Sequence, residues 1–343
     1  MKRIFTSFLL FLTFLAIVGI TSCGRKAVLN IYSWAEYVPQ EVIEQFEEEF
    51  NCRIVYDTYD SNETMYTKLR AGGAGYDIVF PSGDYTSIMI REGMLKNIDR
   101  TKIPNLANLD PRVTAKINYD PEHEYSVPYM IGTTGIAVNT RYFSEYPRSW
   151  RILEMEEVRG KATLLDDMRE VMGAALKTLG YSVNSLEKEQ LNEAKELVLL
   201  WKDSVAKFDN ELFAKGVVSG EFWVVHGYGE NIFYEATEDE IEDIDFFIPE
   251  EGSTLWIDNM VILKDSKHSD LAHEFINFIL RPDISAEISD YLLLPSPNSK
   301  AAELLTEEPI YELADLENCE MIEDIGEDLV LFNDIWNEIR FGL

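Results

Sequence analysis

The chain is poor in the residues that most covalent and metal chemistry needs. Three cysteines and four histidines occur in 343 residues. There is no CxxC and no HxxxH, and His123, His226, His268 and His273 are scattered. That excludes a structural zinc site and a zinc-protease helix, so neither metal nor cofactor is expected. Basic residues are scarce: 30 Lys and Arg stand against 62 Asp and Glu, a formal net charge of −32. A chain this acidic repels nucleic acid and anionic lipid, and it attracts cations. The glycine-rich stretch Gly72-Gly73-Ala74-Gly75 lacks the Lys-Ser/Thr of a phosphate loop. No Ser-His-Asp arrangement, internal repeat or low-complexity linker is visible. The apolar run from Phe8 to Ile20 is too short to span a bilayer.

That run follows Lys2 and Arg3, the layout of a secretory signal. It ends in Ile20-Thr21-Ser22-Cys23-Gly24, which resembles the bacterial lipobox. In that signal the cysteine becomes the acylated first residue after cleavage. Residues 1–22 are therefore expected to be a lipoprotein signal peptide and Cys23 the lipidation site. The protein is expected outside the cytoplasm, periplasmic, held to a bacterial membrane through the N-terminal lipid only. Cys52 and Cys319 lie far apart in sequence and read as unpaired.

The length suits two lobes or domains. Val28 to Trp34 reads as a buried strand. Pro39 opens a helix with Val42, Ile43, Phe46 and Phe50 at helical spacing. Arg53 to Tyr59 is a second strand, Asn62 to Ala71 a helix, and Asp77 to Phe80 a third strand. This β-α-β-α-β order predicts an α/β fold with a parallel sheet and covering helices. Gly135 to Asn139, Phe222 to Val225 and Ile244 to Ile248 read as further strands. Leu255 to Leu263 reads as a return toward the first lobe. His268 to Leu280 and Phe332 to Ile339 read as amphipathic helices, and Glu235 to Asp245 as a solvated acidic segment.

Ligands of parallel sheets bind beyond the carboxyl ends of the strands. Two such ends carry an acid beside an aromatic: Trp34-Ala35-Glu36-Tyr37 and Ser82-Gly83-Asp84-Tyr85. Three more places share that chemistry. Asp167 and Glu170 share a face if a helix starts there, and their spacing equally suits a helix cap. Tyr228-Gly229-Glu230 sits in a glycine-rich break after a strand. Trp256 and Asp258 point to one side of a strand, where a carboxylate needs a partner. A matching ligand is cationic and partly aliphatic, with ammonium groups on carboxylates and methylenes on rings.

Several stretches then carry a family likeness. They are Trp34-Ala35-Glu36-Tyr37-Val38-Pro39, Ser61-Asn62-Glu63-Thr64-Met65-Tyr66 and Tyr76-Asp77-Ile78-Val79-Phe80-Pro81-Ser82. Asn108-Leu109-Asp110-Pro111, Asp166-Asp167-Met168-Arg169-Glu170-Val171 and Leu179-Gly180-Tyr181-Ser182 follow. Trp256-Ile257-Asp258, Asn277-Phe278-Ile279-Leu280-Arg281-Pro282-Asp283 and Pro295-Ser296-Pro297-Asn298 complete the series. In this order, over nearly the whole chain beyond the signal, they resemble the spermidine/putrescine-binding proteins of bacterial polyamine ABC transporters. The resemblance implies a two-lobe periplasmic-binding-protein type II fold. Each lobe would have a mainly parallel central sheet flanked by helices, with the ligand cleft between the lobes. Lobe 1 is expected at 27–135 plus 257–300 and lobe 2 at 136–256 plus 301–343. It also implies a monomer that is no enzyme, with a polyamine as ligand and the permease and ATPase subunits of an ABC transporter as partners.

Family contact positions fall on Ala35, Glu36, Tyr37, Ser82, Asp84, Asp167, Glu170, Tyr228, Trp256 and Asp258. With the clusters above, the candidate ligand residues are Trp34, Glu36, Tyr37, Ser82, Asp84, Tyr85, Asp167, Glu170, Tyr228, Glu230, Trp256 and Asp258. The chain departs from the family at Ala35, Asp84, Tyr228, Leu294 and Ile322, so the rim that sets ligand length is expected to differ. The alternatives are the same fold binding a sugar or cationic vitamin, a polyamine sensor, and a two-carboxylate glycosidase.

Overall fold

The computed structural model describes residues 26–72 and 75–341. The expected signal segment and Cys23 lie outside the described residues. Ten strands occur among the described residues: β1 Ala27–Trp34, β2 Cys52–Tyr59, β3 Ile78–Val79, β4 Ser126–Asn139, β5 Ala162–Leu164, β6 Val205–Phe208, β7 Val224–Tyr228, β8 Ile244–Phe247, β9 Thr254–Ile262 and β10 Glu320–Met321. Their order is β2-β1-β3-β9-β4-β7-β5-β6, with β8 beside β4 and β10 beside β9.

β4 ties two lobes together. Its first half, Ser126 to Thr133, pairs antiparallel with β9. Its second half pairs antiparallel with β7 and β8. On the first side β1 runs parallel to both β2 and β3. On the second, β5 runs parallel to both β6 and β7. Each lobe therefore has a parallel set that meets an antiparallel crossing strand. The sequence showed only Gly135 to Asn139 of β4. Pro128 hides the rest, because proline argues against a central strand unless the ladder is broken there. The ladder does shift register between Pro128 and Met130.

The helices form for local reasons that also aim the site. Pro39 stands before the helix Gln40–Glu49, whose Val42, Ile43 and Phe46 are buried. Ser61 caps Asn62–Arg70 by accepting the backbone N–H of Thr64 at 3.2 Å. β3 is shorter than expected by one residue at each end, and side-chain bonds fix the residues that flank it. The Asp77 carboxylate accepts the Asn30 backbone N–H at 2.9 Å and the Ser266 hydroxyl at 2.7 Å. The Phe80 carbonyl accepts the Trp34 indole N–H at 3.0 Å and the Tyr59 hydroxyl at 2.6 Å. Two aromatics thus pin a strand end instead of a neighbouring strand.

The first lobe packs around Phe46, whose ring meets Phe275 and Phe278 at 5.1 and 5.3 Å. The second packs around Trp150 and Trp201, both fully buried. Leu294, expected at the rim, is 1% exposed and belongs to the core. Cys52 and Cys319 are buried and free. No helix among the described residues is long and apolar enough to cross a membrane.

Candidate functional site

Asp258 is the anchor. It sits inside β9, where the alternation that places it beside Trp256 also turns it toward the ends of the parallel strands. Its Oδ2 accepts the Tyr37 hydroxyl at 2.7 Å and its Oδ1 the Ser82 hydroxyl at 2.6 Å. Ser82 stands at the N-terminus of the helix Gly83–Arg91 and does not spend its hydroxyl on capping. Asn62 supports it, with Nδ2 donating to Ser82 Oγ at 3.0 Å. Tyr37 is held in turn by Tyr129, which donates to the Tyr37 carbonyl at 2.5 Å. The two strand-end segments singled out in the sequence therefore meet on one carboxylate. Burial pushes that carboxyl up to about 6, against the pull of its two hydrogen bonds.

Trp256 needs a glycine opposite. Gly132 is its register partner on β4. A Cβ there would lie 2.2 Å from the indole Cζ2. Gly132→Ala is expected to force the indole aside at a cost of about 1–3 kcal/mol. A lower melting temperature with altered tryptophan emission would show it; an unchanged spectrum and melt would mean the ring is not seated there.

Asp167 and Glu170 divide the two roles that their spacing allowed. Asp167 is the N-cap of the helix Met168–Thr178, accepting the backbone N–H of Arg169 at 2.8 Å and of Glu170 at 3.1 Å. Glu170 turns instead to the crossing strands. Its Oε2 accepts the Thr134 hydroxyl from β4 at 2.7 Å and the Thr254 hydroxyl from β9. Burial raises the Glu170 carboxyl well above the usual range, and Asp167 adds to it. Burial raises Asp167 too. Tyr228, half-buried at the end of β7, lies close enough to Glu170, Asp167, Glu230 and Asp258 for all four to add to the upward push that burial gives its phenol. Glu230 is half-buried, and its Oε2 has no hydrogen-bond partner. Burial, then the Asp258 charge, hold it up at about 7. Trp256 Nε1 is likewise without a partner.

Asp84 is half-buried in the first turn of Gly83–Arg91. Burial raises it to about 6; Arg169 pulls it down and Glu63 pushes it up. Asp84 borders a cavity of about 210 Å³ shared with Ser87, Asn118, Ile322, Glu323 and Asp324. Tyr85 donates its hydroxyl to Glu63 at 2.9 Å. Ala35 and Glu36 form an exposed turn, with Glu36 at φ 51°. That left-handed backbone is uncommon for glutamate. Trp34 is half-buried, its ring 4.7 Å from Tyr59.

Sequence reasoning missed four members of this cluster: Glu63, Thr134, Thr254 and Arg169. The threonines lie on crossing strands whose pairing no local pattern reveals. Arg169 was masked by the acids flanking it. Its guanidinium donates to the Glu323 carbonyl at 3.1 Å and to Asn184 Oδ1 at 2.7 Å, and lies 4.8 Å over the Phe332 ring. Asp84, Asp167, Glu170, Glu230 and Asp258 have no Lys or Arg side-chain nitrogen within 4.0 Å among the described residues. Nor does any group of three or more His, Cys, Asp or Glu among them suit a metal ion. The site can therefore hold an organic cation: it offers carboxylates without a salt-bridge partner and ring faces beside them.

Known proteins resemble the chain over most of its length. Residues 41–315 match the family model described as bacterial extracellular solute-binding protein. The spermidine/putrescine-binding periplasmic protein of Escherichia coli is 34% identical over 322 residues, covering 92% of each chain. The putrescine/cadaverine-binding protein of Pseudomonas aeruginosa is 31% identical over 341 residues, covering 94% of this chain and 96% of that one. The crystal structure of the TpPotD lipoprotein of Treponema pallidum superposes with a TM-score of 0.89 at 44% identity, covering 92% of this chain and 99% of that one.

Proposed function

The chain belongs to the family of bacterial extracellular solute-binding proteins, and from that premise we propose that it captures a polyamine between its lobes and hands it to an ABC importer. The observation that carries this reading is the set of four carboxylates, Asp167, Glu170, Glu230 and Asp258, around Tyr228, with Asp84 near Asp258, none of them in a salt bridge to a Lys or Arg side chain. Like charges gathered in a poorly solvated place are costly until a cation arrives. A linear polyamine supplies ammonium groups for the acids and methylenes for the rings of Trp34, Tyr37, Tyr228 and Trp256. Asp258 would hold one amine while Asp167, Glu170 and Glu230 hold others. Glu36 and Tyr85 would line the entrance. The lobes are proposed as 27–135 with 257–300 and 136–256 with 301–343, closing on the ligand. Micromolar affinity needs only about −8 kcal/mol net. A few charge-assisted hydrogen bonds and stacking supply that after ordering costs. No bond of the ligand needs to break.

Calorimetric titration of the lipid-free protein, refolded to strip carried ligand, tests the reading. One-to-one binding of putrescine, cadaverine, spermidine or spermine is the expected result. No heat with any of the four, from protein shown to be folded, would sink it.

Asp84 and its acidic cavity bear on ligand length. A third ammonium reaching this side would meet Asp84, with Glu323 and Asp324 behind it. Asp84→Ala is therefore expected to weaken spermidine more than putrescine, by about tenfold against about twofold. Equal losses would remove Asp84 from selectivity.

A further inference from the structure

Behind Glu170 runs a chain of hydrogen-bonding groups set back from the acid cluster. Thr134 Oγ1 lies 2.7 Å from Glu170 Oε2 and 3.1 Å from His226 Nε2. Ser253 Oγ and Thr254 Oγ1 each stand 3.2 Å from the same oxygen. His226 is fully buried on β7, and its ring stands edge-to-face on Trp150 at 4.9 Å and 87°. Its Nδ1 has no hydrogen-bond partner.

A hydroxyl has one proton to give, and an ionised carboxylate can only accept. Glu170 makes the shortest of the Thr134 contacts, so the Thr134 proton belongs there. The Thr134 oxygen then presents lone pairs to His226 Nε2. A bare nitrogen at that place would set lone pair against lone pair, or would draw the proton away from Glu170. An N–H resolves both. We infer that His226 is a positioning residue of the site: as the Nε2–H tautomer it donates to Thr134 and so commits the Thr134 hydroxyl to the Glu170 carboxylate. The functional consequence rests on the reading of Glu170 as a ligand-holding acid.

The surroundings fit this role. No charged group shifts His226; burial alone lowers it to about 3, so the ring stays neutral and its tautomer constant through the range in which the acids titrate. Glu170 faces Asp167 and Arg169 from its own helix, Tyr228 from β7 and the Thr254 hydroxyl from β9. Removing the His226 donor leaves the Thr134 hydroxyl free to turn to Ser253 or Thr254. Glu170 would then lose a donor for part of the time, which raises its pKa.

Nitrogen-15 correlation spectra of the labelled protein give the first test. A proton on His226 Nε2 is expected; a proton on Nδ1, or on both nitrogens, overturns the inference. Carbon-13 titration of the Glu170 carboxyl gives the second. His226→Phe should raise its midpoint by about one pH unit, while His226→Gln, whose amide N–H overlays Nε2, should keep it at the wild-type value. Spermidine affinity of His226→Phe should fall about tenfold at pH 6 and little at pH 8. A loss equal at all pH values means a packing role only and overturns the inference, as does an unmoved midpoint. If His226→Phe does not fold, Thr134→Val against Thr134→Ser poses the same contrast. Glu170→Gln runs in parallel. Wild-type spermidine affinity in that variant refutes Glu170 as a ligand acid, while the two spectroscopic tests still judge the relay.

Discussion

Asp258→Asn is expected to weaken polyamine binding on the order of a hundredfold while leaving the empty protein at least as stable as wild type. The two halves have one cause. In wild type the carboxylate accepts from Tyr37 and Ser82 at 2.7 and 2.6 Å and is 6% exposed. Two hydroxyl bonds do not replace the hydration of a charge, so its pKa rises from 3.8 to about 6. At about 1.36 kcal/mol per unit, ionising Asp258 in the empty protein costs about 3 kcal/mol. Asparagine keeps the shape and removes that cost, although one of its two polar atoms now opposes a donor. Ser82 Oγ accepts from Asn62 and has a second lone pair for the asparagine amide once its own proton turns away. The ligand loses a charge-assisted hydrogen bond, an effect of about 2–5 kcal/mol where the cation is left buried and unpaired. Titration calorimetry and thermal melts of one preparation read both halves. Unaltered affinity would mean that no amine reaches Asp258. Lost affinity with a much lower melting temperature would mean that the asparagine harms packing, not recognition.

The sequence was legible where one local pattern decides the outcome. The first three strands and two helices follow from apolar spacing and Pro39, and they appear within a residue or two. The acid-aromatic pairs at the strand ends were visible because the β-α-β-α-β order puts them at the edge of the sheet where ligands bind. What could not be read was the second layer. Thr134 looks like any strand threonine; only the register of β4 against β9 and β7 brings it between Glu170 and His226. His226 carries no motif and stands far from the other histidines in sequence. Arg169 and Glu63 are charged residues on helices, where solvation is the default, and only the approach of distant segments draws them into the acid cluster. Leu294 was misplaced for the same reason: alignment with a family position says nothing of burial, and here the side chain fills core.

Affinity for spermidine is expected to fall on the order of a hundredfold between pH 8 and pH 5.5, while the empty protein moves the other way. The amines stay charged across this window, since aliphatic ammonium groups titrate near 10. The acids do not. Glu230 is held at about 7, and Asp84 and Asp258 at about 6. At pH 5.5 a carboxyl of pKa 7 has lost about thirtyfold in its ionised share, and one of pKa 6 about fourfold. Carboxylates at ordinary values near 4 would give a flat profile over the same range. The stability sign follows from the same shifts. Asp258 binds its proton more readily folded than unfolded, so its contribution falls as pH rises from about 4 through about 6. His226 and His123 oppose this below about 6.5, because the unfolded chain protonates them and the folded one resists. Taking the difference between wild type and Asp258→Asn cancels the histidines. The melting temperature of the variant should therefore exceed that of wild type by a margin that opens between pH 4.5 and pH 7 and is constant above. Ligand-induced stabilisation of wild type should grow over the same interval, and binding near pH 6 should release protons from the protein. A pH-independent affinity would mean that the acids titrate at ordinary values and stay charged across the window, and a margin that closes as pH rises would mean that folding does not raise Asp258; either result overturns the argument from burial.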